Sequence, residues 1–322
     1  MTNLVDRVAG APITWGVCEV PGWGYQLAPE RVLGEMSRIG LRATELGPEG
    51  FLPNGSGPLL DLLAAHELRL VAGFLPILLH RKEGMDQRLA GASQYADLLA
   101  QAGSEVMVLA AVGGGNGYEA ATELDGDEWS TLVGGIDRMA DVAGERGLAL
   151  AVHPHHGTAI ERTGHVERLL ETSPVSLCLD TGHLMVGGSD PLDVARSASA
   201  RIAHVHMKDV VAEWAERVRT GRSGYVEAVR GGMYRPLGAG DLDIEGVVRT
   251  LHDSGYRGWY VLEQDNVVEV PPEEGEGPVR DAAASLEFFR QVAAKLDQES
   301  PAGSAGRGGA AWEATSLARE EA

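Results

Sequence analysis

The stretch Val175–Asp209, VSLCLDTGHLMVGGSDPLDVARSASARIAHVHMKD, decides how the rest of the chain reads. It holds two short apolar runs, Val175–Asp180 and Ile202–His206, with a helical segment at Pro191–Ala200 between them. Continuous apolar runs of this kind read as strands buried on both faces, the signature of a parallel sheet. Each run closes on an ionisable residue, Asp180 and His206. Strand, helix and strand in that order form the β/α unit from which parallel sheets are built.

The same rhythm extends in both directions. Strand-like runs occur at Ala11–Trp15, Ala43–Leu46, Leu68–Phe74, Glu105–Val112, Leu148–His153 and Trp259–Glu263. Helical periodicity fills the intervals at Pro29–Ile39, Pro58–His66, Met85–Ala102, Glu128–Arg146, Val166–Glu171, Ile244–Ser254 and Val279–Leu296. Gly40, Gly147, Gly255 and Gly258 stand between helix and strand, where a left-handed helix cap is expected. Eight strands alternating with eight helices predict α/β architecture in a single closed (β/α)8 TIM barrel. A doubly wound open sheet is the competitor, but it usually has fewer strands, and no GxGxxG follows the first one. The expected boundaries are an N-terminal extension at 1–10, the barrel at 11–297, and a low-complexity tail at 298–322 that stays disordered in isolation. Trp312 within that tail is a candidate docking residue for a partner subunit. Val210–Leu242, after the seventh strand, is too long for a simple βα loop and sits where such loops cover active sites.

Composition limits the partners. The 322 residues carry 47 acidic and 27 basic side chains, a formal net charge of −20. So acidic a body, without a basic stripe, excludes nucleic acid and anionic membrane surfaces as expected partners. Cys18 and Cys178 are the only cysteines, too few for a disulfide framework or an all-thiolate zinc site. No run is apolar and long enough to span a bilayer, and MTNLVDRVAGAPITWG has no signal-peptide pattern, so a soluble cytoplasmic protein is expected.

Ionisable residues gather at strand ends: Glu45 on the second, His80 after the third, His153 on the fifth, Asp180 on the sixth, His206 on the seventh and Glu263 on the eighth. In a barrel these positions converge on one face. Burying them together is costly unless a metal or polar ligand compensates. Carboxylates mixed with imidazoles suit a divalent ion: Mn²⁺ first, with Co²⁺, Fe²⁺ or Zn²⁺ as alternatives. In HVHMKD, His204 and His206 alternate onto one face of a strand, and His206, nearer the end, is the one expected to reach the ion. AVHPHHGT supplies His155 and His156, either of which is also suited to orienting a ligand through a second nitrogen.

The strings APITWG, TELGPEGFLP, HPHHGT, LDTGHL, HVHMKD and GAGDLDI give the chain a resemblance to the xylose-isomerase-like barrel superfamily, from Ala11 to about Leu296. That superfamily contains sugar isomerases, ketose 3-epimerases, endonuclease IV and inosose dehydratases, and the chain resembles the inosose (2-keto-myo-inositol) dehydratases most. In the ketose epimerases the metal is held by Glu, Asp, His and Glu at the ends of strands five to eight. The resemblance carries the last three onto Asp180, His206 and Glu263. The first position departs, being His153 here, so either His153 ligates or Glu161 folds back to replace the carboxylate. The superfamily's substrate-binding histidine matches His183.

The departure disfavours a symmetric two-base epimerase and suits an asymmetric elimination. The resemblance thus implies a metal-dependent hydro-lyase that dehydrates a keto-cyclitol by α-proton abstraction and loss of the β-hydroxyl. Glu263 is expected as ligand or base, with His153, His155 or His183 as acid. Glu45, His80 and Lys208 are candidates to bind substrate hydroxyls, Lys208 alternatively pairing with Asp209. Trp15 is a candidate floor for the ring, or simply barrel packing. The alternatives are a metal-dependent isomerase or epimerase of a ketose or keto-sugar, a lyase acting on a 3-keto-glycoside, and a non-catalytic partner subunit. Association into a homo-oligomer is a further expectation of the scaffold. Endonuclease activity would need a basic groove.

Overall fold

A computed structural model describes residues 3–114 and 122–299. Ten strands and eleven α-helices follow the chain among these residues. The strands are β1 (Val8–Gly10), β2 (Ala43–Glu45), β3 (Arg69–Ile77), β4 (Val106–Ala111), β5 (Ala149–Val152), β6 (Ser176–Asp180), β7 (Ile202–Met207), β8 (Asp209–Val210), β9 (Tyr234–Arg235) and β10 (Tyr260–Leu262). The helices are α1 (Pro29–Ile39), α2 (Ser56–Ala65), α3 (Met85–Gln101), α4 (Gly126–Gly144), α5 (Thr163–Thr172), α6 (Thr181–Gly187), α7 (Pro191–Ser197), α8 (Ala212–Arg219), α9 (Tyr225–Arg230), α10 (Ile244–Asp253) and α11 (Pro278–Glu299).

Eight strands close a barrel in the order β1-β10-β7-β6-β5-β4-β3-β2, every pair parallel. The expected TIM barrel is therefore present. Small side chains fill its lower interior: Ala9, Ala43, Val71 and Val261 around Trp259, then Ala72, Val106, Val108, Ala151 and Cys178. The larger apolar residues lie between sheet and helices, as in α1, whose Val32, Leu33 and Met36 are all fully buried. Each such side chain contributes about 1.5–3 kcal/mol. Helix starts follow local chemistry. The Asp125 carboxylate accepts from the amides of Asp127 and Glu128, and the Glu128 side chain reaches back to the Asp125 amide to complete a capping box on α4.

The first strand is displaced from its expected position. It is Val8–Gly10, whereas Pro12–Trp15 forms a 3₁₀ turn. Pro12 has no amide proton to give a ladder, so the apolar character of Ala11–Trp15 misleads. Gly10 belongs in the strand because a Cβ there would stand 2.9 Å from Leu41 Cδ1. Residues 8–10 are thus barrel rather than extension, and α11 continues to Glu299. The expected disordered tail, Trp312 included, lies outside the described residues beyond 299.

The long segment after β7 is folded. β8 and β9 form an antiparallel ribbon, with α8 and α9 between them. Asp209 secures it, accepting from the amides of Val210, Gly238, Gly240 and Leu242 at 2.8–3.1 Å. A Cβ on Gly240 would run into the Asp209 carboxylate. No described helix is long and apolar enough to cross a membrane.

Candidate active site

At the C-terminal ends of the strands lies a cavity of about 90 Å³. Glu45, His153, His155, His206, Tyr225, Glu263 and Asp265 line its polar side, and Pro12, Ile13, Val17, Val20, Trp23 and Phe74 line an apolar wall. Tyr225 comes from α9, so the segment after β7 does cover the mouth. Its Arg230 guanidinium reaches across to the carbonyls of Gly22 and Trp23 in the loop after β1.

Asp180, His206 and Glu263 converge, their ligand atoms within 4.8 Å of one another and all buried. Asp180 ends β6 and caps α6, where its Oδ1 accepts from the His183 amide at 2.8 Å. His206 Nδ1 stands 2.9 Å from Glu263 Oε2 and 3.5 Å from Asp180 Oδ2. Yet that nitrogen lacks the alignment of a hydrogen bond to any group present. A buried imidazole nitrogen aimed between two carboxylates without hydrogen-bonding either is the geometry a divalent cation completes. The donor set, one nitrogen with carboxylate oxygens, fits such an ion. His153 adjoins it, with Nε2 at 3.2 Å from Asp180 Oδ2. Cys178 lies below, and burial pushes its thiol up to about 11, so it stays a neutral core group.

Glu161 is not part of this set. Its carboxylate takes the His156 Nδ1 proton at 3.0 Å and the Gly157 amide at 3.0 Å. No described donor group includes it. Glu161 thus lies outside the converging donors, while His153 occupies the strand-five position beside them.

Lys208, fully buried at the end of β7, holds the carboxylates together. Its Nζ lies 2.6 Å from Glu263 Oε1, 2.8 Å from Asp265 Oδ1 and 3.2 Å from Asp180 Oδ2, with His183 Nε2 at 3.1 Å. Burial opposes its charge, but Asp180, Asp265 and Glu263 outweigh that and hold its pKa well above the usual value. Pairing with Asp209 does not occur, because Asp209 is satisfied by backbone amides. Burial likewise opposes the charge on His206, and the carboxylates of Glu263, Glu45 and Asp180 overcome it, raising its pKa. For Glu263, burial is outweighed by His206 and Lys208, which keep the carboxyl below its ordinary value.

His155 and His183 stack at 3.8 Å between ring centroids. Burial, helped by the neighbouring histidines and Lys208, holds both well below the ordinary imidazole value, so they are neutral. His155 Nδ1 donates to the His156 carbonyl at 2.8 Å, which places its lone pair on Nε2. Lys208 donates to His183 Nε2, so the lone pair on that nitrogen is already engaged.

The candidate substrate contacts Trp15 and His80 lie outside the cavity lining. Trp15 is wholly buried and donates its indole N–H to Glu35 at 2.9 Å, so it is barrel packing. His80 is buried after β3 in the field of Glu128, Arg81 and Arg88, away from the cavity lining. Glu45 lines the cavity, but its Oε1 takes protons from His204 at 2.7 Å and His206 at 3.0 Å. Three residues escaped the sequence reading: Tyr225, whose hydroxyl donates to Asp265 Oδ2 at 2.6 Å, Tyr234, 2.9 Å from the Tyr225 hydroxyl, and Asp265 itself. Asp265 had a signal, since in YVLEQD it lies two residues beyond Glu263 and on the same side.

A closed parallel barrel with buried ionisable groups at its C-terminal face is an enzyme-type scaffold. The chain belongs to the xylose isomerase-like TIM barrel family, whose model matches residues 33–292. Within it the chain is similar to the inosose dehydratase of Geobacillus thermodenitrificans, 32% identical over 81% of this chain and 91% of that protein. Among solved structures it is similar to the IolI protein with a bound zinc atom, at TM-score 0.66 and 14% identity over 90% of this chain and 98% of that one. It is also similar to the probable 3-DHS dehydratase AsbF of Bacillus anthracis, at TM-score 0.64 and 13% identity over 88% and 98%. At these identities the two structures speak for the fold.

Proposed function

We propose that the chain is a metal-assisted hydro-lyase that dehydrates an uncharged keto-cyclitol, 2-keto-myo-inositol. The observation that carries the reading is one cavity lining in which His206 and Glu263, with Asp180 converging on them from behind, adjoin the neutral imidazole of His155. The name carried by the similar Geobacillus protein supports it. Mn²⁺ is the first choice for these donors, with Co²⁺, Fe²⁺ and Zn²⁺ able to replace it, and His153 stands beside them as a fourth position. When bound there, a divalent ion supplies Lewis-acid polarisation of the ketone oxygen.

The protein's own residues supply the proton transfers. His155, with its lone pair on Nε2, takes the proton α to the carbonyl. Its burial disfavours the resulting imidazolium, so the same proton is readily handed to the departing β-hydroxyl, which leaves as water. Carbon–hydrogen and carbon–oxygen bonds break, one carbon–carbon double bond forms, and no oxidant is needed. Lys208 keeps Glu263, Asp265 and Asp180 fixed by its ammonium, and Tyr225 closes the site over the substrate.

The lining also favours an uncharged substrate. No arginine or lysine lines the cavity among the described residues, and Lys208 beneath it is taken by three carboxylates. A carboxylated or phosphorylated ring would find no cationic side chain in that lining to pair with. The apolar wall suits the C–H faces of a cyclitol ring.

The test is proton NMR of 2-keto-myo-inositol incubated in D₂O with the Mn²⁺- or Co²⁺-loaded protein, the metal being stripped before the spectrum. The dehydrated diketone should form, and chelator, His155→Asn and Glu263→Gln should each abolish it. An isomeric ketone with deuterium at the α carbon would establish the isomerase instead. An unchanged substrate would overturn the cyclitol assignment.

A further inference from the structure

We propose that Glu45 is a positioning residue for the metal site: its carboxylate takes the Nε2 proton of His206 and thereby leaves Nδ1 as the lone pair facing Asp180 and Glu263. The proposal rests on the metal-assisted reading above. It begins with a chemical asymmetry. A neutral imidazole carries one proton on two nitrogens, and only the other nitrogen can donate a lone pair to a cation. His206 could present either.

Glu45 decides between them. Its Oε1 lies 3.0 Å from His206 Nε2, and an ionised carboxylate oxygen can only accept, so Nε2 holds the proton. The opposite nitrogen, Nδ1, is the one placed 2.9 Å from Glu263 Oε2 and 3.5 Å from Asp180 Oδ2 without a hydrogen bond. The same Oε1 accepts from His204 Nε2 at 2.7 Å. Two rings, two residues apart on β7, are therefore pinned by one oxygen. Their centroids are 5.2 Å apart and their planes 80° from one another. His204, fully buried, is a strut that keeps Glu45 from swinging toward the cavity.

The backbone supports this assignment. The register between β2 and β3 slips between Thr44 and Glu45. Such an irregularity re-aims the next side chain, here across the barrel toward β7. A contact spanning 161 residues of chain is made by a strand of only three residues, Ala43–Glu45. A hydrogen-bond acceptor behind a metal-bound imidazole raises its basicity and fixes its orientation, and its loss typically lowers metal affinity about 10–100-fold.

The experiment is Co²⁺ titration of the metal-stripped protein and its variants by calorimetry, together with ¹⁵N–¹H correlation spectra of histidine-labelled, Zn²⁺-loaded wild type. Glu45→Gln and Glu45→Leu should bind Co²⁺ more weakly by about ten- to a hundredfold, Leu more than Gln, and the cobalt absorption bands should shift. In the Zn²⁺-loaded wild type, His206 should carry its proton on Nε2 and ligate through Nδ1. Unchanged Co²⁺ affinity in folded variants, or a His206 protonated on Nδ1, would overturn the role of Glu45 while leaving the metal site standing. Should Glu45→Leu not fold, the wild-type spectrum and Glu45→Gln still decide. Wild type that binds no Co²⁺ would overturn the metal-assisted reading itself.

Discussion

Lys208 Nζ lies 2.6 Å from Glu263 Oε1 while the other oxygen of the same carboxylate faces His206 Nδ1 at 2.9 Å. Lys208 thus holds one carboxylate oxygen of Glu263 and leaves the other turned toward an imidazole nitrogen that makes no hydrogen bond to it. The ammonium fixes the carboxylate before any ion arrives, which lowers the cost of organising the site.

Replacing Lys208 by Met should leave Glu263, Asp265 and Asp180 buried with a cation missing. Breaking a buried ion pair this way costs about 3–5 kcal/mol. The melting temperature of the metal-stripped variant should drop accordingly. Added Mn²⁺ should restore more of it than the same ion adds to wild type, because the ion neutralises the same carboxylates. Scanning calorimetry with and without Mn²⁺ measures both.

Acid should destabilise the metal-stripped protein in two stages. His80, His153, His155, His183 and His204 have folded pKa values pulled below the ordinary imidazole value, foremost by burial. The unfolded chain therefore binds more protons than the folded one as pH falls below about 6.5, and stability is lost there. His206, raised rather than lowered, works in the opposite sense and offsets part of the loss. Glu45, Asp180, Glu161 and Glu263 are lowered, so their contribution is lost in turn below about pH 4.5. Urea denaturation at pH 7, 5.5 and 4 should show unfolding free energies falling in that order.

Tyr225→Phe removes a 2.6 Å hydrogen bond to Asp265 and a partner of the Tyr234 hydroxyl. A hydrogen bond to a charged group is worth about 1.5–3 kcal/mol. The loss should appear locally, as faster amide exchange across α9, and in catalysis as a higher KM with the barrel's exchange unchanged. Exchange mass spectrometry and steady-state kinetics give the two readings.

Gly240→Ala should disrupt the β8–β9 ribbon, since the new methyl group meets the Asp209 carboxylate that four backbone amides surround. Leaving buried polar groups unsatisfied costs about 1–3 kcal/mol. The variant should keep its far-ultraviolet dichroism, melt lower, and become susceptible to proteolysis between 210 and 242.

The barrel was legible because apolar runs such as Leu177–Asp180 and Ile202–His206 are buried on both faces, and local sequence alone reports that. The first strand was not, because Val8–Gly10 is short and its small residues are explained only by Leu41 and Met36 pressing on Gly10 from elsewhere in the chain. Asp180, His206 and Glu263 were legible through their strand-end positions. Trp15 and His80 were misplaced because strand-end polarity and aromaticity do not reveal which side of a turn a side chain takes. Tyr225 carries no local mark at all: its partner Asp265 is 40 residues away. The pairing of Glu45 with His206 spans 161 residues and depends on a register slip that no pattern announces.

The pairing of β1 with β10 joins Val8–Gly10 to Tyr260–Leu262. During synthesis the first strand therefore emerges long before its neighbour exists, and the growing sheet carries two open edges until residue 262 leaves the ribosome. Open edges invite pairing with other chains, so this interval is when misassociation threatens most. Glu263 follows immediately on the strand that removes those edges. The last of the three converging side chains is made only once the barrel can close, so a truncated or half-translated chain is barred from assembling the full donor set.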